Sequence, residues 1–298
     1  MSNTATTHFD PHAVQRLRRA ATDQGHYNLA MLLTAAQTSI TTHQLAAESL
    51  PKTDRALAEG VAELLPQLQA AGLDPELLAL IDRARSTLAD GGMILYDDAP
   101  PLFVCRACGQ VALRAKPDHC PRCGAGSLVF ESLPASFYLE PLPVPVILDQ
   151  LARTPDWLEA LIEGVSDTQI AQAVDGVEGA WSLGEAIGHV LDTQELIAQR
   201  VALFMQFESP DLNARAMWNE VASAGLSVRE MTAQFRRSRA AMLAVLKDAT
   251  PGHWLRLGRH TEFGPVTLQQ QCGYFAKHEQ WHMAQMSRLR RAVDAGQE

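Results

Sequence analysis

The chain has 298 residues, 47% hydrophobic and 20% charged, which is ordinary globular usage at a length that calls for two or three units rather than one. A formal charge of −9 and a pI near 5.6 exclude the basic footprint on which nucleic-acid binding depends. No run approaches the ~20 apolar residues of a membrane span, and Met1–Asp10 is polar rather than basic then apolar, so a cytoplasmic protein with no membrane partner is expected.

Residues 1–98 are expected to form an N-terminal helical module. Apolar residues recur at helical spacing, first Val14, Leu17 and Ala21, then Leu29, Leu32, Ala36 and Ile40. Pro51 breaks the pattern, and Asp74 before Pro75 marks a further helix start, so three helices are expected. The segment ends in Gly91-Gly92 and the run Asp97–Pro101.

Residues 99–133 carry the sharpest signal. Cys105-Arg-Ala-Cys108-Gly109 and Cys120-Pro-Arg-Cys123-Gly124 are separated by ten further residues, with strand-like pieces Leu102–Val104 and Leu128–Phe130 beside them. Two residues between paired cysteines let both thiolates of a tight turn face one ion, and the glycine after each pair relieves crowding there. Cys105, Cys108, Cys120 and Cys123 are therefore expected to hold one metal. Zinc and iron both suit four thiolates, so a structural zinc and a redox iron remain open. The fifth cysteine, Cys272, stands alone, a spacing unlike a secreted disulfide framework.

The stretch Phe103–Gly109, Pro117–Gly124 and Phe130 resembles the rubredoxin-like domain of rubrerythrins. The resemblance implies a small four-cysteine fold with one iron, electron transfer to a redox partner and a stress-response role. Gln110 stands where that domain commonly has an aromatic residue. None of His12, His26 and His43 follows a Glu by three positions, so the di-iron ligand pairs of rubrerythrins are absent and these histidines are expected at the surface or in packing.

Residues 134–145 contain four prolines and read as an extended connector. From 146 to 298 the helical period returns. Capping boxes at Ser182/Glu185, Ser227/Glu230 and Thr267/Gln270 mark three helix starts, which with a helix over 146–165 make a four-helix bundle. The fold class is thus mostly α, with the cysteine knuckle between two helical parts, and a homodimer is expected because short helical modules often complete their cores across a two-fold axis.

Within the last helix His278-Glu279-Gln280-Trp281-His282 places two imidazoles one turn apart on one face. The string is also H-E-x-x-H, the zincin pattern, but no histidine follows His282, so a third ligand must come from upstream. His189, among Ile187, Val190 and Leu191 early in a capped helix, is the best candidate; its alternative is an ordinary packed or surface histidine. Glu279 is offset from His278 and expected outside the site, and Cys272, six residues before His278, is expected to be a buried apolar residue. Trp181, Trp218, Trp254 and Trp281 are expected mostly in packing, with one or two at a pocket mouth.

Trp181–Glu195, Arg237, Phe263–Leu268 and His278-x-x-x-His282-x-x-Gln285 together resemble the DinB family over residues 146–294. The resemblance implies a bundle binding one divalent metal (Zn, Ni, Fe or Mn) through His189, His278 and His282, with relatives that include thiol-dependent transferases and isomerases. Asp192 and Gln285, one turn from their histidines, are then candidate supporting residues for the site. The expected function is a metal-dependent transferase or hydrolase acting on a small-molecule substrate or low-molecular-weight thiol, with the metal a Lewis acid. The alternatives are a rubredoxin-like electron carrier and a non-catalytic metal-stabilised binding protein.

Overall fold

A computed structural model describes residues 10–45, 53–136, 139, 141–173, 181–212 and 221–295. Pro51 and Trp218 lie outside the described residues, as does the side chain of His43. The chain divides into two compact units, Met1–Leu50 and Pro51–Glu298, so the N-terminal helices are split between them.

The first unit is a helical hairpin. Asp10 caps α1 (Pro11–Asp23) by accepting from His12 N, and Pro11 occupies the first turn, where its missing N–H costs nothing. Gly25, at φ +79°, reverses the chain into α2 (Tyr27–Leu45). His12 and His26 are exposed.

The second unit opens with α3 (Asp54–Ala70) and α4 (Pro75–Ala89), which pack on each other across the turn at Gly72. Asp74 caps α4 as its sequence suggests. The N-terminal segment therefore holds four α-helices among the described residues where three were expected. The helical period of α1 and α2 runs on in phase across Gln24-Gly25-His26, and the glycine's left-handed backbone separates them.

The knuckle is a three-stranded antiparallel sheet in the order β2-β1-β3, from β1 (Leu102–Cys105), β2 (Val111–Leu113) and β3 (Phe130–Leu133). Leu128 and Val129 form a helical turn ahead of β3 instead of a strand. Its fully buried apolar residues are Cys105, Cys120 and Phe130 alone among the described residues, too few to hold a fold of this length without a further tie.

The remainder is a helical bundle. Its long helices are α5 (Val144–Ile162), α7 (Leu183–Gln206), α8 (Val228–Lys247) and α10 (Leu268–Ala295), with short α6 (Asp167–Ala171) and α9 (Pro251–Trp254) between them. Packing runs α5 to α8, α8 to α7, α7 to α10 and α10 to α5, closing a ring around the core. Ser182 and Ser227 cap α7 and α8 through reciprocal bonds with Glu185 and Glu230, and Thr267 does the same for α10 with Gln270. α7 buries Leu183, Ile187, Leu191 and Phe204 among others, each contributing about 1.5–3 kcal/mol of apolar transfer.

A small sheet at one end was not anticipated. β4 (Asp211–Leu212) pairs parallel with β5 (Leu257–His260), which forms a hairpin with β6 (Gly264–Thr267). Phe204 and Leu212 lie against Gly258, where a Cβ would meet them at about 3 Å. No helix among the described residues is long and apolar enough to cross a membrane.

Candidate metal centres

The four cysteine sulfurs lie within 4.8 Å of one another, with Cys105 to Cys123 at 3.8 Å and Cys108 to Cys120 at 3.6 Å. Four sulfurs at ~2.3 Å from a tetrahedral ion would be about 3.8 Å apart, so the cluster fits such an ion as it stands. The two turns repeat one backbone pattern. Cys105 N donates to Gln110 O and Gly109 N to Cys105 O; Cys120 N donates to Ala125 O and Gly124 N to Cys120 O. Gly109 and Gly124 have φ +77° and +72°, the conformation that only glycine enters freely. The amide of Gln110 points at the Cys108 sulfur, and those of Cys123 and Arg122 at Cys120; burial and the neighbouring sulfurs nonetheless push the Cys108 thiol up to about 12, whereas hydrogen bonds, against burial, bring that of Cys120 down to about 7. Cys123 is exposed, whereas Cys105 and Cys120 are buried.

The second cluster lies inside the bundle. His278 and His282 stand one turn apart on α10 and meet His189 of α7, their imidazole nitrogens all within 4.8 Å. His278 Nε2 is 3.3 Å from His189 Nε2 and 3.1 Å from His282 Nε2. Three ring nitrogens aimed at one point cannot all satisfy one another, since each neutral imidazole has one donor and one acceptor. Nitrogens at ~2.0–2.1 Å from one tetrahedral ion are about 3.3–3.4 Å apart, so this donor set also fits an ion.

Surroundings favour the neutral form of His189 and His278 and orient the ring of His282. Burial, reinforced by His282, lowers the pKa of His189 to about 4 against a weaker opposing effect of Asp192. Burial, then His282 and His189, lowers that of His278 to about 3. His282 Nδ1 lies 2.7 Å from Gln285 Oε1, so it carries the proton and leaves Nε2 as a lone pair toward the cluster. Trp181 stacks on His282 with centroids 6.3 Å apart and meets the edge of His189 at 5.6 Å.

Asp192 has a different connection. Its two oxygens accept from the backbone N and hydroxyl of Ser223 at 2.9 and 3.0 Å, tying the segment before α8 to α7. Together these line a cavity of about 730 Å³ that opens onto His189 and is walled by Ile170, Leu226, Val228 and Met231.

Glu279 is turned away from the imidazoles. It is 3% exposed and ion-paired with Arg239, while its Oε2 accepts from Thr154 at 2.7 Å. Arg239 in turn donates to Gln194 Oε1 and Leu151 O. With both oxygens committed to this network, Glu279 is no general base, and the zincin reading fails on geometry as well as on ligand order. Cys272 is fully buried, its thiol pushed up to about 12 by burial, and is not a nucleophile. Trp254 packs in the core and Trp281 is exposed.

Residues 150–286 match the family model of the DinB superfamily. This segment is DinB-like. Among curated proteins none matches the chain. Among solved structures the chain is similar to YfiT from Bacillus subtilis, described as a probable metal-dependent hydrolase with an unusual four-helix bundle topology. The identity is 20%, over 50% of this chain and 86% of YfiT, at a TM-score of 0.44. The superfamily match stops short of the cysteine knuckle and of α1–α4.

One residue that sequence reasoning left aside stands near the triad. Arg200 is 3% exposed on α7 and donates to Gln271 Oε1 of α10 at 2.8 Å. Its signal was available in the sequence, because an arginine eleven positions after His189 returns to nearly the same face of a helix.

Proposed function

We propose that His189, His278 and His282 hold one divalent metal and that the DinB-like bundle is a metal-dependent enzyme, a transferase or hydrolase acting on a small molecule. The observation that carries this reading is the convergence of three imidazole nitrogens from two helices, with a cavity opening onto one of them. Three protein ligands leave coordination positions free, as in catalytic rather than closed structural sites. Bound there, the ion would supply Lewis acidity toward a substrate oxygen or sulfur.

The chain's own residues have separable tasks in this reading. Gln285 fixes the tautomer of His282; Trp181 shields two of the imidazoles from water; Asp192 holds the Ser223 segment and so shapes the cavity. The aliphatic walls favour a substrate with an apolar body. The test is turnover of thiol-transfer and ester or amide hydrolysis substrates by metal-loaded protein against a His278→Ala/His282→Ala variant. Activity that survives in the variant contradicts the reading.

For the knuckle we propose a structural ion on Cys105, Cys108, Cys120 and Cys123, supported by a core of three residues that needs a tie. An iron-bearing, electron-carrying knuckle is the second reading, favoured by the exposure of Cys123, which would bring one sulfur to the surface for a redox partner. Absorption in the visible separates them, since zinc thiolate is colourless.

A further inference from the structure

A second polar cluster lies along the same two helices. Arg200 follows His189 by eleven residues, about three turns, and Gln271 precedes His278 by seven, about two, so both return to the faces that carry the triad. They are 3% and 0% exposed. The Arg200 guanidinium makes one hydrogen bond, to Gln271, and no ion pair among the described residues. Its Nε is buried without a partner among the described residues, and so is Gln271 Nε2.

The cluster is close to the triad. Arg200 Cζ is 5.8 Å from the centroid of the Phe275 ring, and that ring is 6.2 Å from the ring of His278, so guanidinium and imidazole are within about 12 Å of each other. Tyr274 lies between them in sequence and packs on His278 at 5.9 Å. Burial lowers the pKa of Arg200 to about 10, only partly offset by Tyr274 and Glu262. The guanidinium is still charged at neutral pH; Glu262 is near enough to act on it but makes no ion pair with it among the described residues, and a buried charge without a directly paired carboxylate is costly to the fold.

The unpartnered groups define what is missing. Arg200 Nε–H and the Gln271 amide NH2 can only donate. Their complement is a compact anion with several acceptor lone pairs. We propose that Arg200 and Gln271 form a buried subsite for the carboxylate of a small molecule whose other end reaches the histidine triad. A carboxylate matches the guanidinium fork with two oxygens and leaves a lone pair for Gln271. This rests on reading the triad as the reacting centre, and makes the substrate a carboxylic acid long enough to span the two clusters. Arg200 is then a specificity residue.

The experiment uses the full chain loaded with Co(II), titrated with acetate, glutarate and, as control, chloride. Calorimetry and thermal unfolding report binding, and the part of the cobalt visible spectrum that the His278→Ala/His282→Ala variant lacks, over the absorption of cobalt at the four cysteines, reports contact with the triad. Acetate and glutarate should both stabilise the wild type, glutarate alone should change the cobalt spectrum, and Arg200→Gln should weaken glutarate at least tenfold. Gln271→Leu, which removes a donor and keeps the charge, should weaken it several-fold and serves if Arg200→Gln does not fold. Equal effects of chloride and acetate with no response to glutarate, or glutarate binding unchanged in either variant, would overturn the subsite. If the triad takes up no cobalt, the proposed metal enzyme fails by itself, while Arg200-dependent glutarate binding still reads the subsite through calorimetry.

Discussion

Glu279 sits between two histidines of the triad in sequence, yet its carboxylate is spent on Arg239 and Thr154 inside the bundle. Removing one partner from a buried ion pair strands the other charge, at a cost of about 3–5 kcal/mol. Glu279→Gln should therefore lower stability by that order in chemical denaturation and leave the metal content of the triad unchanged; unchanged stability with lost metal would contradict this. His260 gives a pH signature. Its Nδ1 accepts from the backbone N of Glu262 and Phe263 at 3.1 and 3.2 Å, and burial, then Arg200, lowers its pKa to about 4. The unfolded chain binds that proton at an ordinary histidine pKa near ~6.5, so this contribution to stability is complete above that pH and is lost as pH falls toward 4. Melting temperatures between pH 7 and 4.5 should fall less steeply for His260→Gln than for the wild type. Parallel slopes would contradict a buried, neutral His260. The i,i+4 spacing made the His278/His282 pair legible, the capped helix made His189 the best upstream candidate, and family resemblance strengthened it. The clasp of Asp192 on Ser223 was not legible, because it joins residues 31 positions apart through a loop.

Helix starts were the most readable elements. Asp74 and the three capping boxes at Ser182, Ser227 and Thr267 all appear in the structure, because a side chain that satisfies orphan amides leaves a local signature. Replacing Ser182 with Ala should cost about 1 kcal/mol, read from denaturation midpoints. The β4–β5–β6 sheet was unreadable for the converse reason. Its strands are two to four residues long and contain Gly258, Gly264 and Pro265, residues that punctuate rather than extend a strand pattern. Gly264 is also where Tyr96, from the segment after α4, lies on the hairpin: φ is +71° and a Cβ would meet the Tyr96 ring at 2.6 Å. Gly264→Ala should cost about 2–3 kcal/mol through strain and displacement of the tyrosine. A neutral result in thermal unfolding would place the ring elsewhere.

On the scale of the whole molecule the second unit contains two candidate metal sites with unequal structural dependence. The bundle has two apolar clusters and a closed ring of helices, whereas the knuckle has three buried residues. Chelation should accordingly unfold residues 102–133 and leave the helical signal of the bundle nearly intact, as followed by amide exchange and circular dichroism. The fold class followed from helical periodicity and one cysteine cluster. The division at Leu50/Pro51 did not, because it depends on contacts that apolar spacing along one helix does not encode. The most direct measurement of the central claim is elemental analysis of the intact chain and of the His278→Ala/His282→Ala variant, both purified without added metal. Two metals per chain in the wild type, with one lost and the other retained in the variant, is the predicted result. A single metal per chain that the variant leaves unchanged would contradict it.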